Sequence, residues 1–208
     1  MNRKFMLLGA LFVASLITCN VISTKLWTIG GIVMSTGILT YGLTFLFLNV
    51  INEVWGKKAA ADIVWVGFLI NIFTLVVFKL AVLMPPLDPE ANKAFAGVVD
   101  LIPRIMLACN AAYLVAQYQN IWLFNWIKKL TNGRMLWARN NASTIVSHTL
   151  DSAIFYVVAF APIGLTSNEM GWGALFSGLL ISSIFKFMMA LADTPFCYLL
   201  VHGPKMRR

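Results

Sequence analysis

The sequence predicts an all-α integral membrane protein with six transmembrane helices and both termini on the cytoplasmic side. Three observations carry this expectation. The chain is 60% hydrophobic and only 12% charged over 208 residues, with mean hydropathy +0.80, whereas soluble domains carry roughly twice that charge. Six apolar runs are each long enough to cross about 30 Å of hydrocarbon as a helix. Lys and Arg gather at alternate ends of those runs, as they do in cytoplasmic loops.

The first run, 5–22, follows Asn2-Arg3-Lys4 and so resembles the start of a secretory signal peptide. Thr18 before Cys19 is a poor cleavage residue, and the run is long enough to span, so it is read as a retained first helix. The second, 37–55, follows Gly30-Gly31 and ends at Gly56-Lys57-Lys58; the third is 61–84. A break from Pro85-Pro86 through Pro103 precedes the fourth, 104–127, and Thr131-Asn132-Gly133 closes it. The fifth, 143–160, ends before a Pro162 to Gly171 connection, and the sixth is 173–201. No connection is long enough for a soluble domain, so residues 1–208 form a single transmembrane domain. One side collects Arg3, Lys4, Lys57, Lys58, Lys128, Lys129, Arg134, Arg139, Lys205, Arg207 and Arg208. The other has Lys25 and Lys93, with Arg104 at its edge, beside Asp88, Glu90, Asp100 and Glu169. The bias gives an N-in/C-in topology.

The net charge of +8 lies at span ends rather than on one basic face, which argues against nucleic acid as a partner. Cys19, Cys109 and Cys197 are scattered in apolar stretches, so neither a disulfide framework nor a metal site is expected, and no cofactor motif is present. Ser147, His148 and Asp151 invite a catalytic reading, but neighbours on one helix seldom aim a nucleophile at its base. There is no HExxH and no rhomboid-type GxSG, the closest string being Leu175-Phe176-Ser177-Gly178. Enzymatic activity is therefore not expected.

Polar groups inside the spans need a reason, since each is costly in hydrocarbon unless paired or hydrated. Counting from the span ends places Asn49, Gln117, Asn120, Ser147, Asp151 and Lys186 near mid-bilayer, with Glu53, His148 and Asp193 nearer the cytoplasm. On the fourth span Asn110, Tyr113, Gln117, Asn120 and Phe124 recur at helical steps as one stripe. Asn49, Asn52 and Glu53 share a face of the second span, and Thr144, Ser147, His148 and Asp151 share one of the fifth. Interhelical hydrogen bonding is the plain alternative for the amides, and an ion pair for Asp151 and Lys186. The functional alternative is a cavity for a flat polar solute, its edge read by amides and acids and its faces by Tyr113, Trp122, Phe124 or Phe155. His148, Asp151 and Asp193 are the candidates for ion coupling.

Four strings in order, FLFLNVINEVWGKKAA, RIMLACNAAYLVAQYQNIWLFNWIKK, RNNASTIVSHTLDSAIF and KFMMALADTPF, together with NVISTKLW after the first span, resemble the queuosine precursor transporter family, also called vitamin uptake transporters. The resemblance implies a six-helix bacterial inner-membrane protein that imports 7-deazaguanines such as the 7-cyano and 7-aminomethyl forms, or queuine. It implies roles for Asn52, Glu53, Gly56, Arg104, Gln117, Arg139, Ser143, Asp151, Lys186 and Pro195. The chain departs from the family at Asn49 and Asn120, where aspartate is usual, and at Cys109, where serine is. A substrate-binding subunit of an ATP-driven system stays open, as does another nucleobase-like solute. The chain has no Walker A pattern, so ATP use would need a partner. A homo-oligomer is equally compatible with this reading.

Overall fold

A computed structural model of the chain describes residues 3–23, 25–29, 32–160 and 172–202. Helix α1 (Arg3–Ile22) leads into an antiparallel hairpin of β1 (Leu26–Ile29) and β2 (Ile32–Ser35). Helices α2 (Ile38–Leu83), α3 (Pro89–Leu130), α4 (Leu136–Phe160) and α5 (Trp172–His202) follow. The hairpin is a short addition to an otherwise all-helical chain. Its Thr28-Ile29 and Ile32-Val33 flanks are β-branched, and the register pairs Ile29 with Ile32, a spacing typical of a two-residue turn.

The 46 residues of α2 would measure about 70 Å as one rod, more than two bilayer cores. Gly56, at φ 89° and ψ 175°, divides it. That backbone region is open to glycine alone among common residues. Contacts with α1 show that the chain reverses there. Phe5 packs on Trp55, and Cys19 donates to the Gly37 carbonyl, so α1 runs antiparallel to 38–55. Gly9 abuts Ile63, and Asn20 bonds Asn71, so α1 runs parallel to 57–83. The expected second and third spans are thus two antiparallel segments joined at one residue, with no loop between them.

The remaining elements alternate in the same way. Along α3, Asn110 meets Asn71, and Asn120 and Lys128 meet Asn49 and Glu53. Along α4, Arg139 meets Glu53 and Asp151 meets Tyr41; along α5, Lys186 meets Asp151 and Tyr198 meets the Trp137 amide. Six helical segments therefore run up and down, and the first turn of α1 and the last turns of α5 lie at the bundle end that holds Trp55 and Arg139.

Two helices run past the expected spans. The break through Pro103 is not there: α3 starts at Pro89 and runs 42 residues. Asp88 caps it, accepting from the Glu90 amide at 2.9 Å, and Pro89 fits the first helical turn, where no donor is missed. Helix α4 begins at Leu136, seven residues before the expected 143, which makes Arg139 and Asn140 helical. The turn before it places Asn132, Gly133 and Met135 at positive φ. Pro195 lies inside α5, which continues to His202.

Among the described residues, three helices are long and apolar enough to cross a membrane by length and composition, at Arg3–Ile22, Ile38–Leu83 and Phe176–Val201. Helices α3 and α4 are the more polar ones, and their Asn110, Gln117, Asn120, Asn140, Ser147 and Asp151 side chains are buried. Leu8, Phe12, Leu16, Leu48, Val64, Tyr113 and Phe124 belong to one apolar core, while Trp65, Leu69, Phe73, Trp122 and Leu199 point outward. This inversion, polar inside and apolar outside, is what a chain dissolved in lipid needs.

Candidate functional site

The first half of α2 is the axis of the site, because α3, α4 and α5 all pack against it. Polar side chains cross from it at three depths.

At the end shared by Trp55 and Arg139, Glu53 takes two cations. Its Oε1 lies 2.9 Å from Arg139 Nη2, and its Oε2 lies 3.1 Å from Lys128 Nζ. Arg139 Nη1 also donates to the carbonyls of Gly133 and Arg134, at 2.9 and 3.1 Å, and its guanidinium sits 5.5 Å from the Phe124 ring centroid. Those carbonyls are presented by the positive-φ turn, so Gly133 at φ 76° indirectly positions the arginine. Asn125 donates to Asn52 at 2.9 Å beside this knot.

At mid-depth the amides meet. Asn49 donates to Asn140 at 2.9 Å and Thr144 at 3.0 Å, and accepts from Asn120 at 2.7 Å. Ser147 Oγ lies in hydrogen-bond contact with both Gln119 and the Ser143 carbonyl, and Ser143 donates to the Asn140 carbonyl at 3.3 Å. Gln117 donates to Thr44 at 3.3 Å. Thr44 already gives its one hydroxyl hydrogen to the Tyr41 carbonyl at 2.7 Å, so its oxygen can only accept. That fixes the Gln117 amide and leaves its Oε1 without a partner. Asn120 Oδ1, Asn52 Nδ2 and both ring nitrogens of His148 are likewise buried and unpartnered.

Further along, Asp151 accepts from the Tyr41 hydroxyl at 2.6 Å and pairs with Lys186 at 2.8 Å. Lys186 also donates to Ser152 at 2.8 Å and stands 5.2 Å from the Tyr41 ring centroid. His148 packs on Phe45 and Tyr41, with ring centroids 4.2 and 5.9 Å apart.

The expected residues therefore divide. Asn49, Asn52, Glu53, Gln117, Asn120, Arg139, Ser143, Ser147, His148, Asp151 and Lys186 join one seam. Tyr113 does not: its hydroxyl donates to the Val64 carbonyl at 2.8 Å in the core against Phe12. Asn110 likewise turns to Asn71, at 3.0 Å. Asp193 stands apart on α5, facing Gly42. Arg104 is on the helical backbone of α3, but its side chain lies outside the described residues. The aromatic expectation is also corrected. Trp122 is exposed and stacks on Trp126, Arg139 covers the Phe124 ring, and the seam's rings are Tyr41 and Phe45. Tyr41 lies in the first turn of α2, at the edge of the expected second span, and Asn140 precedes the expected fifth span, so neither carried a signal of its own.

A groove of about 500 Å³ lies between α1 and the second half of α2, lined by Phe5, Gly9, Val13, Ile63, Val66 and Ile70. It is apolar and separate from the seam, so it offers nothing to orient a polar solute.

Comparison with known proteins bears on most of the chain. A family described as "Putative vitamin uptake transporter" matches residues 35–200. A relative named "Probable queuosine precursor transporter", from Bacillus subtilis (strain 168), is 28% identical over 170 residues, covering 81% of this chain and 72% of its own length. No solved structure matches.

Proposed function

The chain belongs to the vitamin uptake transporter family, which makes it a membrane transporter rather than an enzyme, and on that premise we propose that it imports 7-deazaguanine precursors of queuosine. The observation that carries this reading is the set of buried polar atoms without partners along the seam. Gln117 Oε1 and Asn120 Oδ1, three residues apart on α3, are acceptors awaiting donors, and His148 offers either role. A guanine-like edge presents ring N–H and amino donors beside a carbonyl acceptor, and Tyr41 and Phe45 supply ring faces. Unpaired buried groups cost about 1–3 kcal/mol each, so a solute that pairs them recovers that energy on binding. The relative's name points to the same solute class.

Orientation and mechanism follow from the same features. Lys57, Lys58, Lys128, Lys129 and Arg134 cluster at the bundle end that holds both described ends of the chain, and this is read as the cytoplasmic end, in the inner membrane. Helices α4 and α5 are joined by Lys186–Asp151 and by reciprocal Asn141–Thr194 bonds at 2.8 and 3.0 Å. They move as a pair against α1 to α3, opening the Glu53–Arg139 knot on one side and the Tyr41–Asp151 contact on the other. Binding near mid-membrane between such groups is the general transporter arrangement. Cells unable to make the precursor should regain queuosine-modified tRNA when given precursor and this gene. Gln117→Ala and Asn120→Ala should rescue poorly at equal expression, and full rescue by both would sink the site assignment.

A further inference from the structure

The two acids in the membrane-embedded part of α4 and α5 are treated differently by their neighbours. Asp151 has a cation and a phenol. Asp193 is buried, and among the described residues neither a cation nor a hydrogen-bond donor lies within bonding distance of its carboxyl group. Its Oδ2 lies against Gly42 of α2, 3.4 Å from where a side-chain carbon on that glycine would sit, with the Met189 Cβ beside the same position. The charged groups of the packed elements are engaged elsewhere or exposed. Glu53 on α2 holds Arg139 and Lys128, Asp151 on α4 holds Lys186 of α5, and Lys25, ahead of the hairpin, is exposed. Cys197, one turn along α5, is neutral as a thiol, and His148 on α4 packs against Phe45 and Tyr41.

An isolated carboxylate in such surroundings takes up a proton rather than stay charged. A sodium ion would need a shell of several oxygens, which hard cations require, and Gly42 and Met189 bring no side-chain oxygen while their helical carbonyls serve the backbone ladder. Among the described residues, no hydrogen bond or ion pair fastens α5 to α2 at this contact. Its bonds at this depth go to α4, through Thr194 and Asn141, whereas the Asp193–Gly42 contact with α2 is apolar on one side. A swing of the α4–α5 pair would slide Asp193 off Gly42 and wet it.

We propose that Asp193 is the proton-coupling site of this transporter, loaded from water on the outer side and emptied to the cytoplasm once per cycle. This rests on the transport reading above. The step is one protonation, carboxylate plus a proton from water giving the neutral acid, and its reversal on the far side. Import of a neutral solute then carries one positive charge inward, driven by the proton gradient.

The test uses the full chain in liposomes with radiolabelled 7-cyano-7-deazaguanine and the membrane potential clamped at zero. The parent should exchange solute without a gradient and accumulate it up to about tenfold per pH unit, the limit for one proton per solute. Asp193→Asn, which mimics the protonated acid, should still exchange solute but reach only equilibration. Gradient-driven accumulation by Asp193→Asn, or a parent indifferent to the gradient, overturns the proposal. Infrared spectra provide a readout independent of the solute. A protonated-carboxyl band should grow in the parent as the pH falls and be missing in Asp193→Asn. If exchange fails while that band behaves as expected, the solute assignment is at fault and the protonated Asp193 stands; if the parent lacks the band, the coupling proposal falls.

Discussion

The two halves of α2, separated by Gly56, are similarly apolar in sequence and opposite in fate. Residues 38–55 bury Thr44, Phe45, Leu46, Leu48, Asn49, Val50, Ile51 and Asn52, and are bonded to both α3 and α4. Residues 57–83 bury little beyond Ala60, Ile63, Val64, Gly67 and Asn71, and expose Trp65, Leu69, Phe73, Val76 and Leu80. In water the apolar count would decide which half is inside. In lipid an exposed Leu costs nothing, so polar groups and small residues make the choice. The first half has Thr44, Asn49, Asn52 and Glu53; the second has one embedded amide, Asn71, served by Asn20 and Asn110. One half is held by polar bonds across the seam, the other chiefly by close packing.

That contrast breaks first at Asp151. Asp151→Ala leaves Lys186 buried and unpaired and removes the acceptor of Tyr41, so stability in detergent should drop by about 3–5 kcal/mol, seen as a large fall in melting temperature and yield. A double variant, Asp151→Asn with Lys186→Met, should recover most of the yield without uptake. Normal stability of the single variant would mean that the pair is not held as described. Glu53→Ala should cost less, about 2–3 kcal/mol, because Arg139 keeps the Gly133 and Arg134 carbonyls and the Phe124 face. The matching measurement is its melting temperature beside that of Asp151→Ala; the reverse order would contradict this ranking.

How far the sequence foretold this depended on what each residue had to signal. Hydropathy marked the helical segments because it follows from the solvent, and a helix, Trp172–His202, covers the stretch expected as the last span. Spacing along α3 marked the polar stripe but not its partners. Asn110 and Tyr113 turn to the second half of α2, whereas Gln117 and Asn120 turn to the first, a division that depends on the reversal at Gly56. Gln119 lies off the stripe and reaches α4, which no single-helix periodicity could indicate. The start of α3 was legible in Asp88-Pro89 and was masked by the more obvious prolines around it.

The packing-held half should give smaller effects, and they sharpen the comparison. A Cβ at Gly67 would lie 2.7 Å from the Tyr113 hydroxyl and 2.9 Å from Phe12. Gly67→Ala should therefore displace the Tyr113 bond to Val64 and cost about 1–3 kcal/mol by overpacking. Pairing it with Tyr113→Phe tests the cause, since removing the hydroxyl should relieve part of the loss.

Phe73, two residues beyond Asn71, is 66% exposed, and in a bilayer its ring meets acyl chains in both the folded protein and the separated helix. Phe73→Leu exchanges one lipid-soluble group for another and should shift stability by less than about 0.5 kcal/mol, with uptake unchanged. A larger loss in either readout would show that this face is covered by protein instead of lipid, and the division at Gly56 would then separate two kinds of protein contact.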